Sequence, residues 1–166
     1  KSKNWIGNGQ CIPAGPMREK ISSLKKFDAV FLNGSSNNLE KIENQIKNIN
    51  SNIKIFRTFY KISNIQKYDL KSKYLIFSGI GNPSDFKDIL LENKFDIVKE
   101  LRFPDHYKYN QNDFKKIKDN AKNENLKIIT TEKDYMKVPD EFKKEIDFLT
   151  IDLVIKDEDK LIELLS

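Results

Sequence analysis

A short string with the chain's sole histidine is its best candidate for proton-transfer chemistry. In Phe103-Pro104-Asp105-His106, the acid Asp105 directly precedes His106, and Pro104 stiffens the approach to both. Because histidine titrates near neutral pH, it can accept, donate or relay a proton. The alternative is a surface-loop histidine without a role, and the local sequence does not decide between the two.

An adjacent Arg18–Glu19 pair follows a glycine- and proline-rich loop and is the second candidate. Pro16 suits the first turn of a helix that we predict over residues 16–26. An arginine at a helix start, beside unpaired backbone N–H groups, is suited to a phosphate contact, and Glu19 could orient it or meet a sugar hydroxyl. The alternative is an acid favoured by the helix dipole beside a solvated arginine.

Two further polar loops could shape a site. Residues 79–83 (GIGNP) lack the GxGxxG pattern and the lysine of a phosphate-binding loop, so a turn accounts for the glycines, and Asn82 is predicted to cap the next helix. In residues 131–134 (TEKD), capping-box spacing accounts for Thr131 and Asp134, whereas Glu132 or Lys133 could face a cleft.

Strands alternate with helices along the chain, which predicts an α/β fold with a mostly parallel sheet flanked by helices. Predicted strands cover 28–33, 53–60, 74–78, 95–103, 127–130 and 148–155. Predicted helices cover 16–26, 37–48, 83–92, 112–123 and 157–165. GIGNP, FPDH and TEKD each follow a strand directly. We therefore expect these loops to line one rim, at the carboxyl ends of the strands.

Composition and charge disfavour nucleic-acid binding and an oxidising compartment. The chain has 166 residues, enough for a folded core, and 30 basic against 25 acidic residues give a net charge of +5. The lysines are spread among acids and only three arginines occur, so nucleic-acid binding is disfavoured, while a weak attraction to anionic lipid or nucleotide stays open. Cys11 is the single cysteine, so no internal disulfide can form, which indicates a reducing compartment. As a catalytic nucleophile it would need a base, and His106, the only histidine, is distant in sequence.

Metal and targeting signals are weak. One histidine and one cysteine far apart give no zinc spacing, so no metal ligand is predicted, and any Mg²⁺ would be held mostly by a bound nucleotide. No apolar stretch approaches the roughly 20 residues of a membrane span. The chain begins with Lys1 and its first motif comes within seven residues, so we expect it to be the latter part of a longer protein.

The strings GNGxxxPAGPxRE, SGIGNP, FPDH and TEKD, in this order between Gly7 and about Lys137, resemble the tetraacyldisaccharide 4'-kinases of lipid A biosynthesis. The resemblance implies a P-loop kinase that uses ATP and Mg²⁺ to phosphorylate the 4'-hydroxyl of tetraacyldisaccharide 1-phosphate. It also implies a location at the cytoplasmic face of the bacterial inner membrane. The implied partners are ATP, the acylated disaccharide and the surface of the inner leaflet, and not nucleic acid.

The resemblance also assigns residues. Arg18 and Glu19 match the family's active-site pair and are expected to bind substrate. His106 matches a histidine thought to partner a catalytic aspartate of the other lobe, and it is the expected catalytic residue. Three more residues are candidates for a supporting role around it: Asp105, Asn82 and Lys133.

No GxxxxGK[ST] motif occurs in the chain. The resemblance therefore implies that residues 1–34 end a P-loop lobe and that 35–166 form a second α/β lobe, whose last strand and helix could pack back on the first. The chain alone is expected to be inactive, with the nucleotide and Mg²⁺ bound mainly by an upstream region. Tyr107 stands where many relatives have a second histidine, and residues 135–137 depart from the commoner small-residue version.

Two other functions stay open on the residues alone. One is a non-catalytic Rossmann-like module that binds a nucleotide or another protein. The other is a dinucleotide-dependent enzyme, which the absence of a GxGxxG fingerprint disfavours.

Overall fold

The computed structural model describes residues 5–34 and 38–166, and its strands form two sheets. The first sheet has three strands, in the order β1 (Ala29–Asn33), β2 (Lys54–Ile62), β7 (Ile151–Ile155). The second has four strands, in the order β4 (Asp96–Arg102), β3 (Lys73–Ser78), β5 (Lys127–Thr131), β6 (Ile146–Leu149). β1–β2 and all three pairs of the second sheet are parallel, so the predicted α/β class is confirmed.

The chain divides into two compact units. The first comprises Lys1–Lys61 with Leu153–Ser166, and the second is the continuous segment Ile62–Asp152. The assignment of residues 1–34 and 35–166 to two kinase lobes concerns a longer protein and stays a prediction.

In the first unit, helix α1 (Leu39–Ile49) covers one face of β1 and β2. Its apolar stripe places Ile42 and Ile46 against Leu32 and Ile53, as the helical spacing predicts. An ion pair reinforces this contact, with Arg57 Nε 2.6 Å from Glu43 Oε1. Hydrogen bonding to the guanidinium holds the pKa of the Glu43 carboxyl below its usual range.

The helix predicted over 16–26 is wrong in its first half. Only Ile21–Lys26 is helical, as a 3₁₀ helix. Ile12 N–H donates to the Met17 carbonyl at 2.8 Å, and Met17 N–H donates to the Gln10 carbonyl at 3.3 Å. Because the main chain of Met17 is paired back to the preceding loop, it cannot start a helix.

In the second unit, β3 carries the core on both faces. Tyr74 through Phe77 are at most 1% exposed. Leu75 and Phe77 pack with residues of helix α3 (Gln111–Asn123), and Tyr74 and Ile76 pack with residues of helix α2 (Pro83–Glu92). A central parallel strand is covered on both sides, and this explains the continuous apolar run in the sequence.

The strand predicted over 148–155 is two strands, β6 and β7, in different sheets. Thr150 lies at the break, where its N–H donates to Asn64 Oδ1 at 3.0 Å and its carbonyl accepts from Ser63 N–H at 2.9 Å. These bonds hold Thr150 out of either ladder. Two short helices, α4 (Glu132–Tyr135) and α5 (Asp140–Lys143), lie between β5 and β6, and α6 (Glu158–Leu165) confirms the last predicted helix.

The helix starts differ in how they are capped. Asn110 and Asp113 form a reciprocal capping box at α3, with bonds of 3.1 and 2.9 Å. The predicted cap at Asn82 is wrong, because its side chain makes no capping hydrogen bond. The backbone conformations also differ, because Asn110, which caps its helix, is extended with a ψ of 171°, whereas Asn82 has a ψ of 76°.

No helix in the described residues has both the length and the apolar composition needed to cross a membrane.

Replacing Asn110 by alanine should lower the free energy of unfolding by about 1 kcal/mol, because the Asp113 N–H loses its side-chain acceptor. Asn112→Ala is the matched control, since Asn112 is an exposed residue of the same turn. Urea unfolding of both purified variants measures the difference, and equal losses would remove the capping box as the cause.

Candidate functional site

Three loops meet at one rim of the second unit's sheet. Residues 79–82 follow β3, 103–106 follow β4, and the TEKD string lies at the end of β5. Gly79 N–H donates to Asp134 Oδ2 at 2.8 Å, and His106 N–H donates to the Gly79 carbonyl at 3.3 Å. The prediction that these loops share a rim is therefore confirmed.

His106 presents its imidazole to solvent. The side chain is 77% exposed, and the backbone has a left-handed φ of 59°. Its N–H also donates to Asp105 Oδ1 at 3.0 Å, and its Nε2 lies 3.8 Å from Asp105 Oδ2. An imidazole in this position can meet a group from outside the unit.

Asp105 also lies close to Lys133, whose Nζ is 3.7 Å from Asp105 Oδ1. Both side chains are about half exposed, so the pair contributes little to stability. The structure thus brings Asp105, His106 and Lys133 together, as neighbouring positive and negative groups. Asn82 is exposed on the loop after β3, and its side chain makes no hydrogen bond to the described residues.

Asp134 makes contacts at the rim that its predicted capping role does not account for. It is fully buried, and its carboxylate accepts hydrogen bonds from Gly79 N–H at 2.8 Å, Thr131 Oγ1 at 2.9 Å and Lys137 Nζ at 2.9 Å. Thr131 does cap α4, accepting from Asp134 N–H at 3.2 Å. The Asp134 carboxylate, however, bonds to the loop after β3 and does not complete a capping box with Thr131. Lys137, three residues after Asp134, is the one feature of the sequence that could have indicated a buried ion pair here.

Tyr109 is packed behind the same loops. Its hydroxyl oxygen is buried and makes no hydrogen bond within residues 5–34 and 38–166. Burial, and then the charge of Asp134, raise the pKa of the Tyr109 phenol well above its usual range. The phenol therefore stays neutral at physiological pH, and it fills the space behind Gly79.

Arg18 and Glu19 belong to the first unit, whereas the rim residues belong to the second. Both are exposed, and they line a groove of about 350 Å³ with apolar neighbours that include Leu24 and Phe27. They precede the 3₁₀ helix and do not begin a longer helix, so the argument from a helix terminus does not support a phosphate contact here. Their substrate-binding role stays a prediction.

Residues 5–34 and 38–166 contain no group of three or more histidine, cysteine, aspartate or glutamate side chains that could hold a metal ion.

Gly79→Ala should lower the free energy of unfolding by roughly 1–3 kcal/mol, the usual cost of overpacking. An added Cβ would lie 2.9 Å from Tyr109 Oη and 3.2 Å from the Pro104 carbonyl oxygen. Gly81→Ala is the control, because its Cβ would meet only the end of the Asp105 side chain, which can move. Urea denaturation compares the two, and a Gly79 variant as stable as the Gly81 variant would contradict the close packing.

Comparison with known proteins supports the resemblance seen in the motifs. The family model of tetraacyldisaccharide-1-P 4'-kinase matches residues 1–166. The chain is 48% identical over 158 residues to the tetraacyldisaccharide 4'-kinase of Pelagibacter ubique, covering 95% of this chain and 50% of the relative. The enzyme of that name from Rickettsia akari is 36% identical over 163 residues, covering 98% and 48%.

Among solved structures, LpxK from Aquifex aeolicus, in a crystal structure in complex with ATP, matches with a TM-score of 0.61 and 21% identity. The match covers 95% of this chain and 48% of that protein, and it shows the shared fold alone. This chain spans about half the length of the relatives that it matches. The family match along the whole chain shows that it belongs to the tetraacyldisaccharide-1-P 4'-kinase family.

Proposed function

We propose that the protein containing this chain transfers the γ-phosphate of ATP to the 4'-hydroxyl of tetraacyldisaccharide 1-phosphate in lipid A biosynthesis. The observation that carries the proposal is an exposed His106 beside Asp105, on the rim of a chain that belongs to this kinase family. The ATP in the structure of the Aquifex relative supports ATP as the phosphate donor. This chain contributes only part of the enzyme.

His106 is proposed to partner a catalytic carboxylate that lies outside this chain. In the transfer, the 4'-oxygen bonds to the γ-phosphorus and loses its proton, while the bond from that phosphorus to the bridging oxygen breaks and ADP leaves. A histidine hydrogen-bonded to the carboxylate orients it to take the proton. The 77% exposure of His106 makes its imidazole accessible to such a group.

Arg18 and Glu19 are proposed to bind substrate. A guanidinium can make two parallel hydrogen bonds to a phosphate, and Glu19 can accept from a sugar hydroxyl. Both residues are exposed, so their side chains are available to a ligand.

Mg²⁺ is proposed to be bound mainly by the phosphates of ATP and by a region upstream of this chain, because this ion usually takes one or two carboxylates beside substrate phosphates and water. The family resemblance leads us to propose a site of action at the cytoplasmic face of the inner membrane, and an acylated acceptor is consistent with a protein at the surface of the inner leaflet. A chain without a GxxxxGK[ST] motif should not transfer phosphate alone.

In the complete protein, His106→Ala should lower kcat by roughly 10²–10⁴-fold, the usual range for a group that assists proton transfer, with little change in KM for ATP. His106→Asn is a second variant, because asparagine tolerates the left-handed backbone found here. Lys108→Ala, at an exposed position two residues on, is the control. Steady-state kinetics decide, and an unchanged kcat would remove His106 from the mechanism.

The function is tested by transfer of labelled γ-phosphate from ATP to tetraacyldisaccharide 1-phosphate, with the complete gene product and this 166-residue chain assayed in parallel. We expect transfer by the complete product only. No transfer by the folded complete product would reject the kinase proposal and favour a non-catalytic nucleotide-binding or interaction module.

A further inference from the structure

The buried Asp134 carboxylate has hydrogen-bond and ion-pair partners outside helix α4. A fully buried charge is tolerated only when it is paired and hydrogen-bonded. Thr131 would be sufficient as a cap for α4, yet Asp134 also binds the Gly79 amide and the Lys137 ammonium, at 2.8 and 2.9 Å. The extra partners connect α4 to another loop and to a second charged side chain.

Lys137 extends this network to the loop that carries His106. Its Nζ donates to the Tyr107 carbonyl at 3.4 Å and lies 5.3 Å from the centre of the Tyr109 ring. An ammonium over the face of an aromatic ring is attracted to it. The lysine therefore contacts Asp134, the residue after His106, and a ring further along the same loop.

The same carboxylate holds the other side of His106. Gly79 donates its N–H to Asp134, and the carbonyl of Gly79 accepts from His106 N–H at 3.3 Å. The main chain that carries the imidazole is thus hydrogen-bonded at two points, the His106 amide and the Tyr107 carbonyl. Both connections lead to the carboxylate of Asp134.

The backbone of His106 has a conformation that such support helps to hold. Its φ of 59° lies in the left-handed region, which few residues other than glycine adopt, although histidine does so more often than most. Relaxation of the backbone to an ordinary negative φ would turn the imidazole away from its present direction.

We propose that Asp134 and Lys137 are positioning residues, which hold the His106 loop in the conformation that presents the imidazole at the rim. Neither residue touches substrate in this role. The kinetic consequence rests on the proposed kinase function, whereas the structural consequence does not.

The test uses the complete protein. Lys137→Met keeps an unbranched apolar stem and removes the ammonium, while Lys137→Arg keeps the charge. Because Lys137→Met leaves a buried carboxylate without its counter-ion and could unfold the protein, the double variant Asp134→Asn/Lys137→Met removes both charges at nearly constant volume. Lys143→Met is the matched control, since Lys143 makes an exposed i,i+3 pair with Asp140.

Two readouts are needed. Hydrogen exchange of the peptide covering residues 104–109 reports the order of the loop, with the buried strand β5 as an internal reference for global stability. Transfer kinetics report its use. We expect the double variant to lose protection in 104–109 but not in β5, and kcat to fall roughly 10- to 100-fold with KM for ATP unchanged. Lys137→Arg should restore most of both, and Lys143→Met should match the wild type.

The outcomes are separable. Unchanged protection of 104–109 in a folded double variant overturns the proposal, whatever the kinetics. Lost protection with unchanged kcat overturns the link to His106. Equal loss of protection in 104–109 and β5 assigns the pair to global stability and also overturns positioning. If the wild-type protein transfers no phosphate, the kinase proposal fails, and the exchange experiment alone decides whether the pair orders the loop.

Discussion

One buried carboxylate sets the geometry of the rim in the second unit. Asp134 is inaccessible to water, so its charge has to be met by protein donors, and these are the Gly79 amide, the Thr131 hydroxyl and the Lys137 ammonium. This requirement extends to the space around the donors. The Gly79 amide can approach only because residue 79 has no side chain, since Tyr109 and the Pro104 carbonyl occupy the place of a Cβ. The hydrogen bonds of one carboxylate thus join the loop after β3 to the helix that follows β5.

The sheet beneath supplies the fixed platform. β3 lies between β4 and β5 and is covered on both faces, by residues of α3 on one side and of α2 on the other. Burial of this kind stabilises the strands and leaves their ends in register, so the loops start from defined positions. The exposed imidazole of His106 is therefore carried by a loop between β4 and α3, an arrangement compatible with the role proposed for it.

Local sequence patterns correctly predicted the features of the fold that are determined by residues close together in the sequence. The apolar run of β3, the stripe of α1 and the shared rim of three loops all follow from periodicity and from the geometry of parallel strands. Two of the differences come from pairing between distant parts of the chain, because Thr150 bonds to Asn64 across 86 residues and Asp134 bonds to Gly79 across 55. Met17 differs for a local reason, since it bonds back to the loop that directly precedes it. Residue chemistry made Arg18, Glu19 and His106 candidates, the resemblance assigned their roles in a kinase, and these roles stay predictions.

The order of the elements along the chain has a consequence for biosynthesis. The second unit is continuous, and its two ends are joined by the bond between Ser63 and Thr150, so all its residues are available once Asp152 has left the ribosome. The first unit is discontinuous, because β7 is the third strand of its sheet and α6 follows. One edge of β2 therefore stays without its neighbour until β7 has been synthesised. During that interval it is an unpaired strand edge, the kind of surface on which chaperones act and aggregation begins.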